Sequence, residues 1–296
     1  MYLVFLSCLL LSFSTVYAHV LLHKIHPLVT VFYTFVIAFV LVNLLYVNKM
    51  KKTLIGIKEN YKYVLLINIS TAVDWLFIFI ALKFINASLV NCFVFGLAPI
   101  TTLVISLKTY NSRKVLIKDL IVCLLVMLVL LKLSTLYYKN HEKSILDFEL
   151  FFGIILSIIS GVATGVTAYI GRLLYEKNFS ADMVVKSRYV ITILFVFLII
   201  LANGIDIKIS LNDLLRLFFL SIVFIVAPAF LLQKGLEKIL PLLAVVISAT
   251  IPVLTYLFQF IEPGFIVRVD ELIYVIMLSI IVAGTSLIAK MMKSLN

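Results

Sequence analysis

One carboxylate stands apart from the rest of the chain. Asp74 sits midway along the apolar stretch 63–83, roughly 16 Å from its start at about 1.5 Å per helical residue. Placing a charge at that depth of a bilayer costs about 2.5–3.5 kcal/mol on insertion scales. It must therefore meet water, a cation or a proton. Asn68, Thr71 and Asp74 step by three, and Ser70 lies four residues before Asp74. On a helix these form one polar stripe facing the protein interior. Two chemistries fit: an ionic grip on a substrate amine, or carriage of a coupling proton. The bland alternative is a structural acid bonded to Ser70 and to neighbouring helices.

The matching base is Arg188. It opens the stretch 183–203 together with Lys186. Two residues turn a helix by about 200°, so only one of the pair can face a cavity. Arg188 is the deeper and can hold a carboxylate or phosphate through two parallel N–H donors. Lys186 is expected to snorkel to the cytoplasmic headgroups. Trp75, Tyr169, Tyr189, Phe95 and Tyr256 are candidate aromatic walls. Pro99, Pro228 and Pro252 fall inside apolar stretches, where a missing N–H frees a carbonyl or permits a bend. Ser157, Ser160, Thr164 and Thr167 alternate with Gly161 and Gly165, which reads first as a small-residue packing face.

The remaining reactive residues point away from catalysis. Cys8, Cys92 and Cys123 lie in apolar spans without metal-like spacing or an implied disulfide. His19, His23, His26 and His141 fall mainly near the outer ends of spans and read as interfacial residues rather than metal ligands. No phosphate-cradling glycine loop, HExxH or GxSxG occurs. No cofactor is expected, and energy must come from a gradient or from exchange.

The elements that position these residues follow from composition. Apolar residues make up 64% and charged residues 13% of 296, with a mean hydropathy of +1.21. Soluble domains are about half apolar and a quarter charged, so the chain reads as an integral membrane protein. Ten spans are expected, near 2–22, 27–47, 63–83, 87–107, 115–137, 148–171, 183–203, 212–232, 239–261 and 271–290. Ten helices of about 20 residues leave no room for a soluble domain. Residues 1–18 could pass for a leader ending in Val16-Tyr17-Ala18, but the positive n-region is missing, and they are read as the first span.

The net charge of +11 is a topology signal rather than a nucleic-acid footprint. Seventeen of the 25 Lys and Arg fall in alternate connections and at the C-terminal tail, and eight on the other side. The positive-inside rule then puts both termini in the cytoplasm. The expected partners are the lipid bilayer and a small-molecule substrate, with a possible coupling proton, in a monomer or homodimer. No nucleic acid is expected.

The chain also reads as written twice. Residues 81–103 run in step with 235–257, offset by 154 at Ile85/Ile239 and by 153 at Pro99/Pro252. Tyr33-Thr34-Phe35 aligns with Ser187-Arg188-Tyr189 at the first of these offsets. Five spans per half is an odd number, so the halves, 1–140 and 141–296, must be inverted relative to each other. Transporters built this way bind substrate between the repeats near the midplane.

Particular residues give this pattern a family likeness. Phe258–Leu287 carries Glu262-Pro263 at the end of span 9 and then a span closing in Ala283-Gly284. The first half has Ala81-Leu82-Lys83, Asn86-Ala87-Ser88-Leu89 and Pro99. The chain resembles the EamA-like branch of the drug/metabolite transporter superfamily over its whole length. The resemblance implies an all-α fold of ten transmembrane helices in two inverted five-helix repeats. It also implies an Arg in spans 2 and 7. Arg188 matches the second, while Thr34 stands at the first. The usual acidic residue after Pro99 is absent, and span 5 lacks glycines.

The expected function is secondary transport of a small polar metabolite in a bacterial inner membrane, by alternating access. Asp74 with Arg188 suits an amino acid or related zwitterion, exported or exchanged. A rival cargo is an anion such as a nucleotide sugar, phosphorylated compound or siderophore, for which Arg188 and Lys186 would outweigh Asp74. A third possibility is a membrane scaffold or an enzyme acting on lipid-linked substrate, with Glu142, Asp147 and Glu149 as its only acidic cluster.

Overall fold

A computed structural model of the chain describes residues 1–45, 50–106, 113–141, 147–236 and 247–293, and these are helical almost throughout. The first half contains α1 (Tyr2–Leu22), α2 (Pro27–Leu45), α3 (Met50–Glu59), α4 (Tyr61–Phe84), α5 (Ala87–Ser106) and α6 (Arg113–His141). The second contains α7 (Asp147–Glu176), α8 (Ala181–Lys186), α9 (Val190–Ala202), α10 (Leu211–Leu220), α11 (Ala227–Leu236), α12 (Ile251–Phe258) and α13 (Val269–Lys293). Among the described residues, seven helical runs are long and apolar enough to cross a bilayer, including Tyr61–Phe84, Ala181–Ala202 and Leu211–Gly235. Two shorter apolar helices, Ala87–Thr102 and Ile251–Ile261, accompany them. The first part of the expected ninth span, and Glu142 of the acidic cluster, lie outside the described residues.

Local chemistry sets the boundaries. Ile85 is extended, and the Asn86 side chain accepts from Leu89 N–H (2.8 Å), which starts α5 directly after α4 ends. Such an N-cap satisfies one of the orphan donors of a helix start. At α10, Ser210 Oγ accepts from Asp213 N–H (3.1 Å) in the same role. The lysine-rich connection after span 2 contains a short amphipathic helix, α3, which hydropathy did not reveal.

The helix α7 is the spine that presents the polar centre. Gly153 meets Phe84 and Ile85, Ser160 meets Asp74, Thr167 meets Ser70, and Gly171 meets Ile67. The two numbers of each pair sum to nearly the same value, so α7 runs antiparallel to α4. Against α5 the pairing climbs in step, Gly161 with Phe93 and Leu97, then Gly165 with Ala98 and Thr101, so these two helices are parallel. A Cβ on Gly165 would lie 2.7 Å from the Ala98 carbonyl oxygen, and one on Gly161 2.8 Å from that of Phe93. The absent side chains let the two backbones touch.

Three spans of the second half, 7, 8 and 9, are interrupted where the sequence predicts continuous helices. Span 7 breaks at residues 187–189, between α8 and α9. In span 8 a π-helical turn, Ser221–Val226, separates α10 from α11, and Ala227 N–H reaches back five residues to Ile222 O. Span 9 is broken by a turn at residues 249–250. This corrects the reading of the prolines. Pro99 stays within a continuous α5. Pro228 is the second residue of α11, after the π turn, and Pro252 opens α12 at its first turn. At these positions proline starts a helix segment, where its missing N–H leaves nothing unpaired.

Candidate functional site

The break in span 7 meets the polar stripe of α4. With α8 ending at Lys186 and α9 starting at Val190, backbone groups around the break lack helical partners. Asn68 supplies them. Its side-chain N–H donates to Ser187 O, and its side-chain oxygen accepts from Ile191 N–H (3.4 Å). The same amide nitrogen also reaches Val64 O in its own helix (2.8 Å). One buried side chain of the first half thereby holds open a gap in a helix of the second.

Arg188 projects from that gap. Its Nε donates to Thr71 Oγ1 (3.3 Å), one turn from Asn68 on α4. Another turn on, Asp74 is 6% exposed, and its Oδ1 accepts from Ser160 Oγ and Thr164 Oγ1 of α7, both at 2.7 Å. Arg188 attracts Asp74 electrostatically, yet no direct ion pair joins them. Among the described residues, neither the terminal guanidinium nitrogens of Arg188 nor the second carboxylate oxygen of Asp74 has a hydrogen-bond partner. A buried acid and a half-buried base, one on α4 and one at the break, thus each keep a free polar edge.

Aromatic rings close one side. Trp75, next to Asp74, meets Phe35 (5.7 Å between ring centres) and Phe224 of the π turn (4.9 Å), both edge-to-face. Tyr189, next to Arg188 and buried, meets the same Phe35 at 5.5 Å. Six expected site residues therefore share one locality: Asn68, Thr71, Asp74, Trp75, Arg188 and Tyr189. Of the other two, Tyr169 packs with Val64, Ile67, Leu174 and Phe179 in a separate cluster, while Phe95 packs both against Val4, Cys8 and Ile251 and on the main core that contains Phe35 and Tyr189. Tyr256, buried in the main core, is bonded through its hydroxyl to the backbone of Arg268.

Three expectations change. Lys186 is 5% exposed and does not snorkel. Because the helix stops at Lys186, the 200° argument for separating it from Arg188 does not apply. The hydroxyls of α7 serve more than packing, since two bind Asp74 and Thr167 Oγ1 donates to Ser70 Oγ (2.8 Å). Asp74 itself is not bonded to Ser70. A second polar node went unnoticed in the sequence: the Asn91 amide donates to Thr255 Oγ1 (2.7 Å) and Thr15 Oγ1 (3.3 Å), joining α5, α12 and α1. An amide alone in Leu89–Phe93 was the available signal.

Long apolar helices around a buried, incompletely paired acid and base mark an integral membrane protein with a polar centre. Residues 1–135 match the model of the EamA-like transporter family. That match covers less than half of the chain and specifies no substrate. No curated protein matches the sequence. A solved crystal structure aligns with 98% of this chain and 96% of its own, at a TM-score of 0.65 and 16% identity, and so shares the fold.

Proposed function

We propose that the chain is a secondary active transporter of a small zwitterion, an amino acid or close relative, seen with its centre closed. The observation that carries this is the pair of incompletely bonded polar groups, Asp74 on α4 and Arg188 at the break in span 7, near enough to attract each other electrostatically. The open oxygen of Asp74 receives the substrate ammonium, and the free nitrogens of Arg188 receive its carboxylate. Trp75 and Tyr189 form the apolar wall beside them, while Asn68 and Thr71 hold the frame. Broken spans at a midplane site are what alternating-access transporters use to expose backbone polar groups to a ligand. Ten spans in two inverted repeats, 1–140 and 141–296, would let the halves rock about this centre. The described breaks lie in the second half and the polar stripe in the first. With no nucleotide-hydrolysing motif, the driving force is a gradient or exchange, and a proton on Asp74 is a ready coupling ion.

A second reading rests on Lys186. Its burial two residues from Arg188 brings a second cation to the break, which favours an anionic cargo such as a phosphorylated metabolite. Thermal unfolding of the purified protein against amino acids, phosphorylated metabolites, nucleotide sugars and siderophores separates the two. Stabilisation by an amino acid, lost in both Asp74→Asn and Arg188→Ala, supports the zwitterion. Stabilisation by an anion that survives Asp74→Asn and is lost in Arg188→Ala replaces it with the second reading.

A further inference from the structure

A cluster at the far end of α1 lies outside the transport centre. His19 and His23 are four residues apart on the last turn and C-cap of α1, with ring centres 5.1 Å apart. Glu262 faces them from the turn that follows α12, with its Oε1 2.7 Å from His19 Nδ1. One ligand atom from each residue lies within 4.8 Å of the other two. The second oxygen of Glu262 is buried with no hydrogen-bond partner among the described residues. On the same turn Gln259 is fully buried, and neither atom of its amide has a partner among those residues. The turn is firmly seated: Phe258 packs edge-to-face on Phe13 of α1 at 5.7 Å, and Ser12 Oγ donates to Ile251 O (3.2 Å).

We propose that His19, His23 and Glu262 form a binding site for a divalent transition metal of the Zn²⁺ type. Two histidines at this spacing point from one face of a helix and can share an ion. Two imidazoles and a carboxylate are a usual Zn²⁺ ligand set, with water in the fourth position. Tetrahedral bonds of about 2.0–2.2 Å place ligand atoms about 3.4 Å apart, so separations of up to 4.8 Å must close while the 2.7 Å pair of His19 Nδ1 and Glu262 Oε1 opens. His23 is exposed and free to turn inward. The negative end of the α1 dipole adds to the attraction. The ion would clamp α1, inside residues 1–135, to the turn after α12 in the second half. The charge bias places this clamp on the outer face.

The test is Zn²⁺ alone, buffered by a competing chelator and titrated into the detergent-purified full chain, with Co²⁺ as a spectroscopic substitute. The expected result is one Zn²⁺ per chain, a higher melting temperature, and a Co²⁺ spectrum of low-coordinate nitrogen and oxygen ligation. Outer-shell partners alone are worth about 10–100-fold in affinity, so His23→Ala and Glu262→Gln should each weaken binding at least that far. His23 is exposed, so its loss leaves the fold intact, and His26→Asn serves as a control that binds as wild type. Absence of a one-to-one Zn²⁺ complex overturns the proposal. So does wild-type affinity in both His23→Ala and Glu262→Gln.

Discussion

Asn68→Ala isolates the strut that keeps span 7 open. The substitution removes the bond to Ser187 O and the one from Ile191 N–H, both across 119 or more residues of chain. Hydrogen bonds between membrane helices are worth about 0.6 kcal/mol on average and up to about 1.7. Two such bonds put the loss at about 1–3 kcal/mol. The third bond, to Val64 O, lies within α4 and belongs to a different class. Asn43→Ala supplies the comparison, because the Asn43 amide donates only to Phe39 O of its own helix (2.8 Å). Reversible unfolding in mixed detergent micelles should show Asn68→Ala the less stable variant by at least about 1 kcal/mol, the order of two average inter-helix bonds. Equal losses in the two variants would refute the idea that Asn68 supports the break.

Three other perturbations probe the surroundings. Gly165→Ala places a methyl group 2.7 Å from the Ala98 carbonyl oxygen and should cost about 1–3 kcal/mol by overpacking, whereas Gly171→Ala, with only Ile67 within 4 Å, should be neutral or slightly stabilising; thermal unfolding ranks them. Ser160→Ala combined with Thr164→Val removes two charge-assisted bonds worth about 1.5–3 kcal/mol each, and unfolding measurements should find much of that loss gone in an Asp74→Asn background, because the hydroxyls then serve no carboxylate. His26, in the loop between α1 and α2, has its pKa lowered by partial burial and then by Lys83. A base whose folded pKa is depressed binds fewer protons folded than unfolded. Stability contributed at this site is therefore present above the ordinary imidazole pKa and declines as pH falls through it, and His26→Asn should flatten that part of the pH–stability curve while keeping an acceptor for Leu28 N–H.

The membrane class and the position of the acid were readable from the sequence for a simple reason. An apolar run of helical length admits one interpretation, and a lone carboxylate inside it must have partners. The stripe Asn68-Thr71-Asp74 followed from helical periodicity, and all three residues are buried as that periodicity implied, although their partners in the second half were not legible from it. The break beside Arg188 was hidden because its cause is remote. Met183–Ile191 contains neither Pro nor Gly, and the gap is held by Asn68, more than a hundred residues earlier. Helical spacing alone therefore gave the wrong geometry for Lys186. Prolines misled in the opposite direction, since Pro252 marks the start of a segment whose interruption comes before it. The α7 hydroxyls were ambiguous in principle, because a small polar residue can allow close packing and satisfy an acid at once. Tyr169 shows the weakness of aromatic residue type as a guide, for its ring is placed by a separate apolar cluster.

The central claim is that Asp74 and Arg188 grip opposite ends of one ligand. The direct measurement crosses variants with ligand analogues: affinities of a stabilising amino acid, its methyl ester and its N-acetyl form for wild type, Asp74→Asn and Arg188→Ala. The account predicts that the ester is weak on wild type and no weaker on Arg188→Ala, and that the N-acetyl form behaves likewise with Asp74→Asn. If each substitution instead weakened all three ligands by the same factor, neither residue would be holding the end assigned to it.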